Sequence, residues 1–281
     1  MTLTLLKPET RPEETRDAIP PGPERLDLFG APLDPLTMDD LLDRAERAMV
    51  TRASLVHVSL NVAKLVNMRS DRQLDEDVRR GDVVTADGMG VVWGARMLGL
   101  PVPERIAGVD LMDRLLGLCA ERGYRPFILG AEESVLRRAA ANLTARHPGL
   151  RFAGLRNGYF RADEEEGIAR QIRDSEADCL FVAISSPKKE RFMKAHGPAM
   201  GVPFVMGVGG AVDVAAGLVS RAPVWMQRCG LEWFFRLCQE PRRMWKRYLV
   251  TNALFGFWLL GALMRRSLSG LSPWGGKREK K

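Results

Sequence analysis

Short apolar runs rich in β-branched residues alternate with longer segments of helical periodicity along the middle of this chain. This alternation constrains the fold most, because it is typical of βαβ units, in which helices join buried parallel strands. The predicted strands are residues 55–60, 83–86, 126–129, 179–184 and 204–208. The predicted helices are residues 38–50, capped by Thr37, and residues 111–122, 134–147 and 164–174. The pattern therefore predicts an α/β fold with a mostly parallel sheet flanked by helices.

The N-terminal segment differs in composition from this middle region. Residues 1–25 contain five prolines and little apolar content, which predicts a disordered tail. The apolar stretch 3–6 is far shorter than the core of a secretory signal, so we expect a cytoplasmic protein. The α/β domain is predicted over residues 26–220, and residues 221–281 form a separate appendage.

The appendage carries the excess positive charge of the chain. Residues 221–281 hold 13 Lys and Arg against 3 Asp and Glu, whereas residues 1–220 hold 29 against 32. The appendage also holds 10 of the 20 aromatic residues and five of the six tryptophans. Basic residues interleaved with aromatic ones suit an anionic membrane surface or a nucleic-acid groove. The composition therefore predicts a helical, membrane-binding appendage, with a solvated basic tail as the alternative.

One uncharged stretch of 17 residues, 248–264, lies inside the appendage. It is shorter than the roughly 20 apolar residues that span a bilayer, so it favours an amphipathic helix lying in the membrane plane. A membrane span and a buried core helix remain open.

The predicted strands end on polar or glycine residues, and ligands of parallel sheets bind beyond such carboxyl ends. These ends are Ser59 and Asn61, Asp87-Gly88, Gly130, the segment 185–190 (SSPKKE), and Gly207 to Gly210. We expect the five ends to face one crevice, although each also has an ordinary interpretation as a turn or packing site. The glycine segment precedes a predicted helix at 211–216 and offers backbone amides to a phosphate. It is neither GxGxxG nor a Walker motif, which disfavours dinucleotide enzymes and P-loop NTPases.

Metal and covalent chemistry find little support. The histidines, His57, His147 and His196, form no HExxH motif, and His57 is interpreted as a core or wall residue. The DxD-like triplet Asp75-Glu76-Asp77 lies in a polar helical run and is interpreted as a solvated helix face. No GxSxG or Cys/His arrangement is present, and four cysteines without a CxxC pair indicate a reducing compartment. Asp87 remains as a carboxylate base near cations and glycines, which suits group transfer from a phosphorylated donor.

Several longer motifs point to a known family. They are VVTADGMGVVWGARMLG, PERIAGVDLM, NGYF, SSPKKE and GVGGAVDVAAGLVSRAPVWMQRCGLEWFFRLCQEPRRMWKRYL, in that order. Over about residues 26–249 the chain resembles the WecG/TagA/CpsF family of bacterial glycosyltransferases. The resemblance implies a Rossmann-like α/β domain with a helical C-terminal appendage that meets the membrane and helps complete the active site.

The same resemblance implies the reaction. Members transfer a sugar from a UDP-sugar to a polyprenyl-diphosphate-linked saccharide on the inner face of the cytoplasmic membrane, during surface polysaccharide assembly. They invert the anomeric centre and are expected to need no cofactor and no bound metal. The donor is of the UDP-N-acetylmannosamine type, its uronic acid, or UDP-glucose.

The resemblance also implies roles for individual residues. Asp87 matches the catalytic base that deprotonates the acceptor hydroxyl, and Ser59, Asn61 and Arg105 match residues around the donor sugar. Together with the strand ends, the predicted donor-binding set is Gly88, Gly108, Asp110, Gly130, Ser186, Pro187, Lys189, Glu190, Gly207, Gly209, Gly210 and Asp213. The predicted cations for the departing diphosphate and the membrane are Arg236, Arg243, Lys246 and Arg247.

The motif SSPKKE departs from the usual GSPKQE of relatives, because Lys189 replaces a glutamine. This cation would favour an acidic donor sugar, or would pair with Glu190 or Asp213. The expected partners are the UDP-sugar, the lipid-linked acceptor and an anionic membrane surface, with no nucleic acid and with homo-oligomers left open. One alternative is a non-catalytic membrane or nucleic-acid adaptor, which would not need Asp87. A soluble nucleotide-sugar-modifying enzyme is disfavoured because no redox cofactor site is found.

Overall fold

The computed structural model describes residues 19–20 and 22–268, so most of the predicted N-terminal tail and residues 269–281 lie outside it. The strands are β1 Leu26–Leu28, β2 Ala31–Leu33, β3 Leu55–Leu60, β4 Val83–Ala86, β5 Pro126–Gly130, β6 Gly154–Arg156, β7 Cys179–Ala183 and β8 Phe204–Gly207. The helices are α1 Met38–Thr51, α2 Val62–Met68, α3 Arg72–Arg79, α4 Met89–Met97, α5 Gly108–Arg122, α6 Glu133–Arg146, α7 Glu165–Asp174, α8 Lys188–Met200, α9 Ala211–Ala215, α10 Val224–Arg228, α11 Glu232–Gln239 and α12 Pro241–Leu268. A 3-10 turn, Ala162–Glu164, precedes α7.

Six strands form one sheet in the order β4-β3-β8-β7-β5-β6, and every pairing in it is parallel. β1 and β2 form a separate antiparallel hairpin. The predicted α/β class with a parallel sheet and a helical C-terminal appendage is confirmed. The five predicted strands are found within one residue at each end, and β6 and the hairpin are additions.

The central strands of the sheet are buried on both faces, which explains why they consist mainly of apolar residues. In β5 and β7, Phe127, Leu129 and Leu180 pack into one hydrophobic cluster, while Ile128 and Phe181 pack into the other. Successive side chains of a strand point to opposite faces, so this alternation divides the core into two layers. Residues from α2, α3, α4, α7 and α8 join the first cluster, and residues from α1, α5, α6 and α9 join the second.

The appendage helix α12 packs one side against the α/β domain. Phe255 is buried, and a Cβ on Gly94 of α4 would meet its ring at 2.4 Å, so only glycine allows this approach. The hairpin contributes Phe29, whose ring lies edge-on to Phe255 with centroids 5.9 Å apart. The Arg69 guanidinium lies 4.0 Å from the centroid of Trp258. These contacts tie the helix to α2, α4 and the hairpin.

The opposite side of α12 is apolar and exposed. Its large exposed side chains are Trp245, Leu249, Val250, Leu254, Phe257, Leu260 and Met264. Exposed Val224, Trp225, Trp233 and Phe234 extend this apolar character into α10 and α11. We call these eleven residues the apolar surface. The segment Met244–Ser267 is long and apolar enough to cross a bilayer by length and composition.

The DxD-like triplet lies on α3, as its polar helical pattern predicted. Asp75 is paired with Arg79 at 2.8 Å across one helical turn. Asp77, however, is buried and accepts from Lys194 at 2.8 Å. The prediction of a solvated helix face is therefore wrong for Asp77, because the polar run conceals one inward-facing carboxylate that a lysine of α8 neutralises.

The packing of α12 gives a stability prediction. Phe255→Ala should lower the free energy of unfolding by about 3 kcal/mol, because a buried aromatic ring leaves a cavity between α12 and Gly94. Phe257→Ala is the matched control on the same helix, since that ring is 75% exposed and should change the free energy by less than about 0.5 kcal/mol. Urea denaturation of both variants measures the difference. Equal effects of the two substitutions would show that α12 does not pack as described.

Candidate active site

The carboxyl ends of β3 and β4 bring two predicted catalytic residues together. β3 and β4 pair in parallel with Ser59 opposite Thr85, so Ser59 and the residue after β4, Asp87, lie at one sheet edge. A Cβ on Gly108 would lie 3.8 Å from Ser59 Oγ and 4.0 Å from Asp87 Oδ2. Ser59 is buried, and its hydroxyl has no hydrogen-bond partner among the described residues. The Ser59 hydroxyl and the Asp87 carboxylate therefore both lie near Gly108, whose missing side chain leaves space between them.

Asp87 is held at this edge by its backbone, whose N–H donates to the Leu60 carbonyl at 2.8 Å. Burial raises the pKa of its carboxyl above the ordinary aspartate value. The nearby cations Arg105, Lys64 and Lys189 oppose this rise, and Glu232 adds to it. The raised pKa makes Asp87 a stronger base than a free aspartate.

Two buried lysines and a buried glutamate lie close to this edge. Lys64 of α2 contacts Glu190 of α8 at 2.9 Å, and Lys189 lies 4.0 Å from the same carboxylate. Burial alone would raise the pKa of Glu190, but Lys64 and Lys189 outweigh it and lower the pKa. Glu190 is therefore ionised and paired, as a buried charge needs to be. The predicted pairing of Lys189 with Glu190 is thus found at the limit of ion-pair distance.

The sequence did not single out Lys64. It stands in the apolar run VAKLV at the start of α2, where a lone lysine among buried residues could have indicated a partnered charge. Asn61, predicted to lie near the donor sugar, caps this helix by accepting from the Lys64 backbone N–H at 2.9 Å.

The glycine segment after β8 runs between a lysine and an arginine. A Cβ on Gly207 would lie 3.1 Å from the methylenes of Lys189, and one on Gly209 would lie 3.7 Å from its Nζ. A Cβ on Gly210 would lie 3.0 Å from Arg236 Nη2 and 3.6 Å from Asp213 Oδ2. Gly209 also has a positive φ of 52°, which favours glycine. The loop thus exposes backbone between two cations, and α9 behind it is one residue shorter than predicted.

Arg236 is the predicted diphosphate cation that the structure brings to the glycine loop. It extends from α11, and its Nε is buried without a hydrogen-bond partner among the described residues. Lys246 is exposed on α12. The backbones of Arg243 and Arg247 also belong to α12, and their side chains lie outside the described part of the chain.

Four alternating charges, Arg105, Glu232, Arg221 and Asp110, join the α/β domain to the appendage, and we call them the charged ring. Arg105 Nη1 donates to Glu232 at 2.5 Å, and Arg221 Nε lies 3.3 Å from the same carboxylate. Arg221 also holds Asp110 through both of its terminal nitrogens, one at 2.8 Å. The predicted pocket residues Arg105 and Asp110 therefore have protein partners. The sequence missed Arg221 and Glu232, since ion pairs that distant in the chain leave no local pattern.

The remaining predicted site residues differ in their surroundings. Gly88 is the N-cap residue directly before α4; it has a positive φ of 116°, and a Cβ there would meet nothing within 4 Å. Gly130 has a φ of 146°, and its Cβ would lie 2.4 Å from the Ala183 carbonyl, so close strand packing requires this glycine. Ser186 and Pro187 are joined by a cis peptide bond directly before α8.

His57 is a wall residue, as predicted. It is fully buried, and its Nε2 lies 2.8 Å from Thr85 Oγ1. Burial, with Lys64 and Lys189 nearby, lowers the pKa of His57 to about 3, so the ring is neutral. Within residues 19–20 and 22–268, no three His, Cys, Asp or Glu side chains are grouped closely enough to hold a metal ion.

Known proteins that resemble this chain in sequence are glycosyltransferases. The chain is similar to an N-acetylglucosaminyldiphosphoundecaprenol N-acetyl-beta-D-mannosaminyltransferase of Bacillus subtilis (strain 168), with 34% identity over 179 residues, 64% of this chain and 69% of the relative. An enzyme of the same name from Bacillus spizizenii is 35% identical over 168 residues, 60% of this chain and 64% of the relative. The profile of the glycosyl transferase WecG/TagA/CpsF family matches residues 26–269. Because this match covers most of the sequence, the chain belongs to the WecG/TagA/CpsF family and is a glycosyltransferase.

Proposed function

We propose that this enzyme transfers a sugar of the N-acetylmannosamine type from its UDP donor to a polyprenyl-diphosphate-linked saccharide, with inversion and without a metal ion. In this reaction Asp87 takes the proton of the acceptor hydroxyl as that oxygen attacks the anomeric carbon. The bond from this carbon to the UDP oxygen breaks, and UDP leaves with the bonding electrons. A single displacement of this kind inverts the anomeric centre.

The observation that carries this proposal is a buried carboxylate and a glycine loop flanked by cations at the same end of the sheet. Asp87 has a raised pKa and lies near the Ser59 hydroxyl, which has no hydrogen-bond partner in the described part of the chain and could bond the donor sugar. Lys189 and Arg236 flank the glycine loop, where the charge of the departing diphosphate would develop. Cations fixed in a partly buried site stabilise that charge without reorganisation, which is the task a metal performs in other transferases.

The donor assignment follows the two named relatives, which are N-acetylmannosaminyltransferases acting on an N-acetylglucosaminyl-diphospholipid. By the same reasoning, the proposed acceptor is a polyprenyl diphosphate carrying N-acetylglucosamine, in a pathway of surface polysaccharide synthesis. UDP-glucose is the second donor. The uronic acid of N-acetylmannosamine is a third, because the buried Lys189 ammonium lies at the glycine loop.

The apolar surface supports attachment to the cytoplasmic face of a membrane. Such a large exposed apolar area, with Arg and Lys nearby on α12, is typical of proteins that dock on anionic lipid. The packing of Phe255, Trp258 and Arg266 against the α/β domain favours an in-plane helix, since a helix crossing the bilayer would have to leave these contacts. The acceptor lipid would then meet Asp87 without leaving the membrane.

The first test measures UDP release by the full-length protein in detergent, with each UDP-sugar, with and without a synthetic polyprenyl-diphosphate saccharide. We expect acceptor-dependent release with UDP-N-acetylmannosamine, unchanged by EDTA. Asp87→Asn should lower the rate by a factor of about 10² to 10⁴, because the amide cannot accept the proton. Its matched control is Asp113→Asn, a carboxylate paired with Arg146 away from the site. Loss of activity in EDTA would refute the metal-free mechanism, and an Asp87→Asn enzyme with full activity would refute the base.

The raised pKa of Asp87 predicts the pH dependence of transfer. The base must be ionised, so kcat/KM should fall about tenfold per pH unit below its pKa. Burial raises that pKa above its ordinary value near 4. The acidic fall in kcat/KM should therefore occur at a higher pH than a solvated aspartate would give. Initial rates in detergent at constant ionic strength measure the profile. A rate that stays flat down to pH 4 would contradict the assignment.

The in-plane attachment is tested by sedimentation with anionic lipid vesicles. Phe257→Asp places a charge on the apolar surface and should lower vesicle binding at least about tenfold, because burying one aromatic side chain contributes roughly 1.5 to 3 kcal/mol. Tyr159→Asp is the control, since Tyr159 is equally exposed but follows the edge strand β6. Equal binding of both variants would exclude the apolar surface as the contact.

A further inference from the structure

The charged ring contains one residue that links the catalytic end of the sheet to the appendage. Glu232 is the first residue of α11, and its carboxylate contacts Arg105 from the domain and Arg221 from the start of the appendage. Arg221 in turn holds Asp110 at the start of α5. The four side chains alternate in sign and are partly buried, with exposed fractions between 15% and 38%.

Glu232, a member of the charged ring, lies one turn of α11 before Arg236. Residues four apart on a helix lie on the same side, so a fixed Glu232 also fixes where the Arg236 side chain begins. Arg236 reaches the glycine loop, where a Cβ on Gly210 would lie 3.0 Å from its Nη2. Its buried Nε has no hydrogen-bond partner among the described residues, so no such bond at this nitrogen helps hold the guanidinium over the loop. The position of α11, from which the side chain extends, therefore contributes to placing the guanidinium.

We propose that Glu232 is a positioning residue, which acts through α11 to hold Arg236 over the glycine loop and through Arg105 to set the charge around Asp87. This inference rests on the proposed function, because it assigns to Arg236 the diphosphate of the donor. Glu232 does not touch the reacting atoms.

Four charged groups near Asp87 help to determine its basicity. They are Lys64 from α2, Lys189 from α8, Arg105 from the loop before α5, and Glu232 from α11. The three cations lower the pKa of Asp87, whereas Glu232 raises it and balances Arg105, its own partner. Removing the Glu232 charge should therefore make Asp87 a weaker base and move the acidic limb of kcat/KM to lower pH.

The experiment compares Glu232→Gln, Glu232→Asp, Arg236→Gln and the double variant Glu232→Gln/Arg236→Gln in the full-length protein. Glu232→Gln keeps the size and removes the charge, and we expect kcat to fall about 10- to 100-fold, as small misplacements of catalytic groups do. Glu232→Asp should recover part of this loss. The double variant should lose less activity than the product of the two single losses, because both changes remove the placement of Arg236 and only the effect through Arg105 stays separate. Glu176→Gln, an exposed carboxylate beside Arg125, is the matched control and should change nothing.

Three readouts separate positioning from a merely structural role. Glu232→Gln should shift the acidic limb to lower pH, weaken UDP binding by calorimetry, and leave Tm close to that of the wild type. The proposal would be overturned if Glu232→Gln kept the wild-type kcat and the wild-type pH profile. It would also be overturned if the loss of kcat in the double variant equalled the product of the two single losses. A lower Tm together with an unchanged pH profile of kcat/KM would also overturn it, because Glu232 would then only stabilise the fold. If the wild type binds UDP but transfers no sugar, the proposed reaction fails and UDP binding still decides the role of Glu232.

Discussion

The parallel register of β3 with its two neighbours is the constraint on which the proposed active site depends. β3 pairs with β4 so that Ser59 lies opposite Thr85, and with β8 so that His57 lies opposite Met206. This register puts Ser59, Asp87 and the glycine loop at one end of the sheet. A shift of one residue would reverse the side-chain faces and replace the buried hydroxyl with Leu60. The apolar interiors of both clusters oppose such a shift, so core packing also fixes the chemistry.

Buried charges next to this end form a second constraint. Lys64, Lys189 and Glu190 are all less than a tenth exposed, which is tolerable only because they compensate one another. Their net positive charge counteracts the effect of burial on Asp87, so the carboxylate becomes more basic without losing its ability to ionise. A purely apolar surrounding would raise the pKa further and leave Asp87 protonated for more of the neutral range.

The sequence predicted what depends on local pattern and missed what depends on distant contacts. Strands β3, β4, β5, β7 and β8 are short runs of mainly apolar residues, and Thr37 forms the expected cap of α1 with Asp40. The three-residue strands of the hairpin and β6 carry too few residues for a periodic signal. The motifs indicated Asp87, Ser59 and Arg236, whereas Lys64, Arg221 and Glu232 became visible only through ion pairs across the fold. Asp77 shows the same limit, since a polar run does not reveal which member faces inward.

The appendage is attached in two chemically different ways, and the difference has a consequence for control. Near α11 the contact is ionic, through Glu232 to Arg105, and further along α12 it is apolar, through Phe255 to Gly94 and Phe29. Salt screens exposed charges but leaves apolar burial intact, so moderate salt should loosen the half-buried ionic contact first. The anion site would then weaken while α12 stays packed. If lipid binds the apolar surface as proposed, it would oppose this loosening by holding α11 and α12 in one orientation beside the domain. The same surface would then both recruit the proposed acceptor and keep Arg236 over the glycine loop.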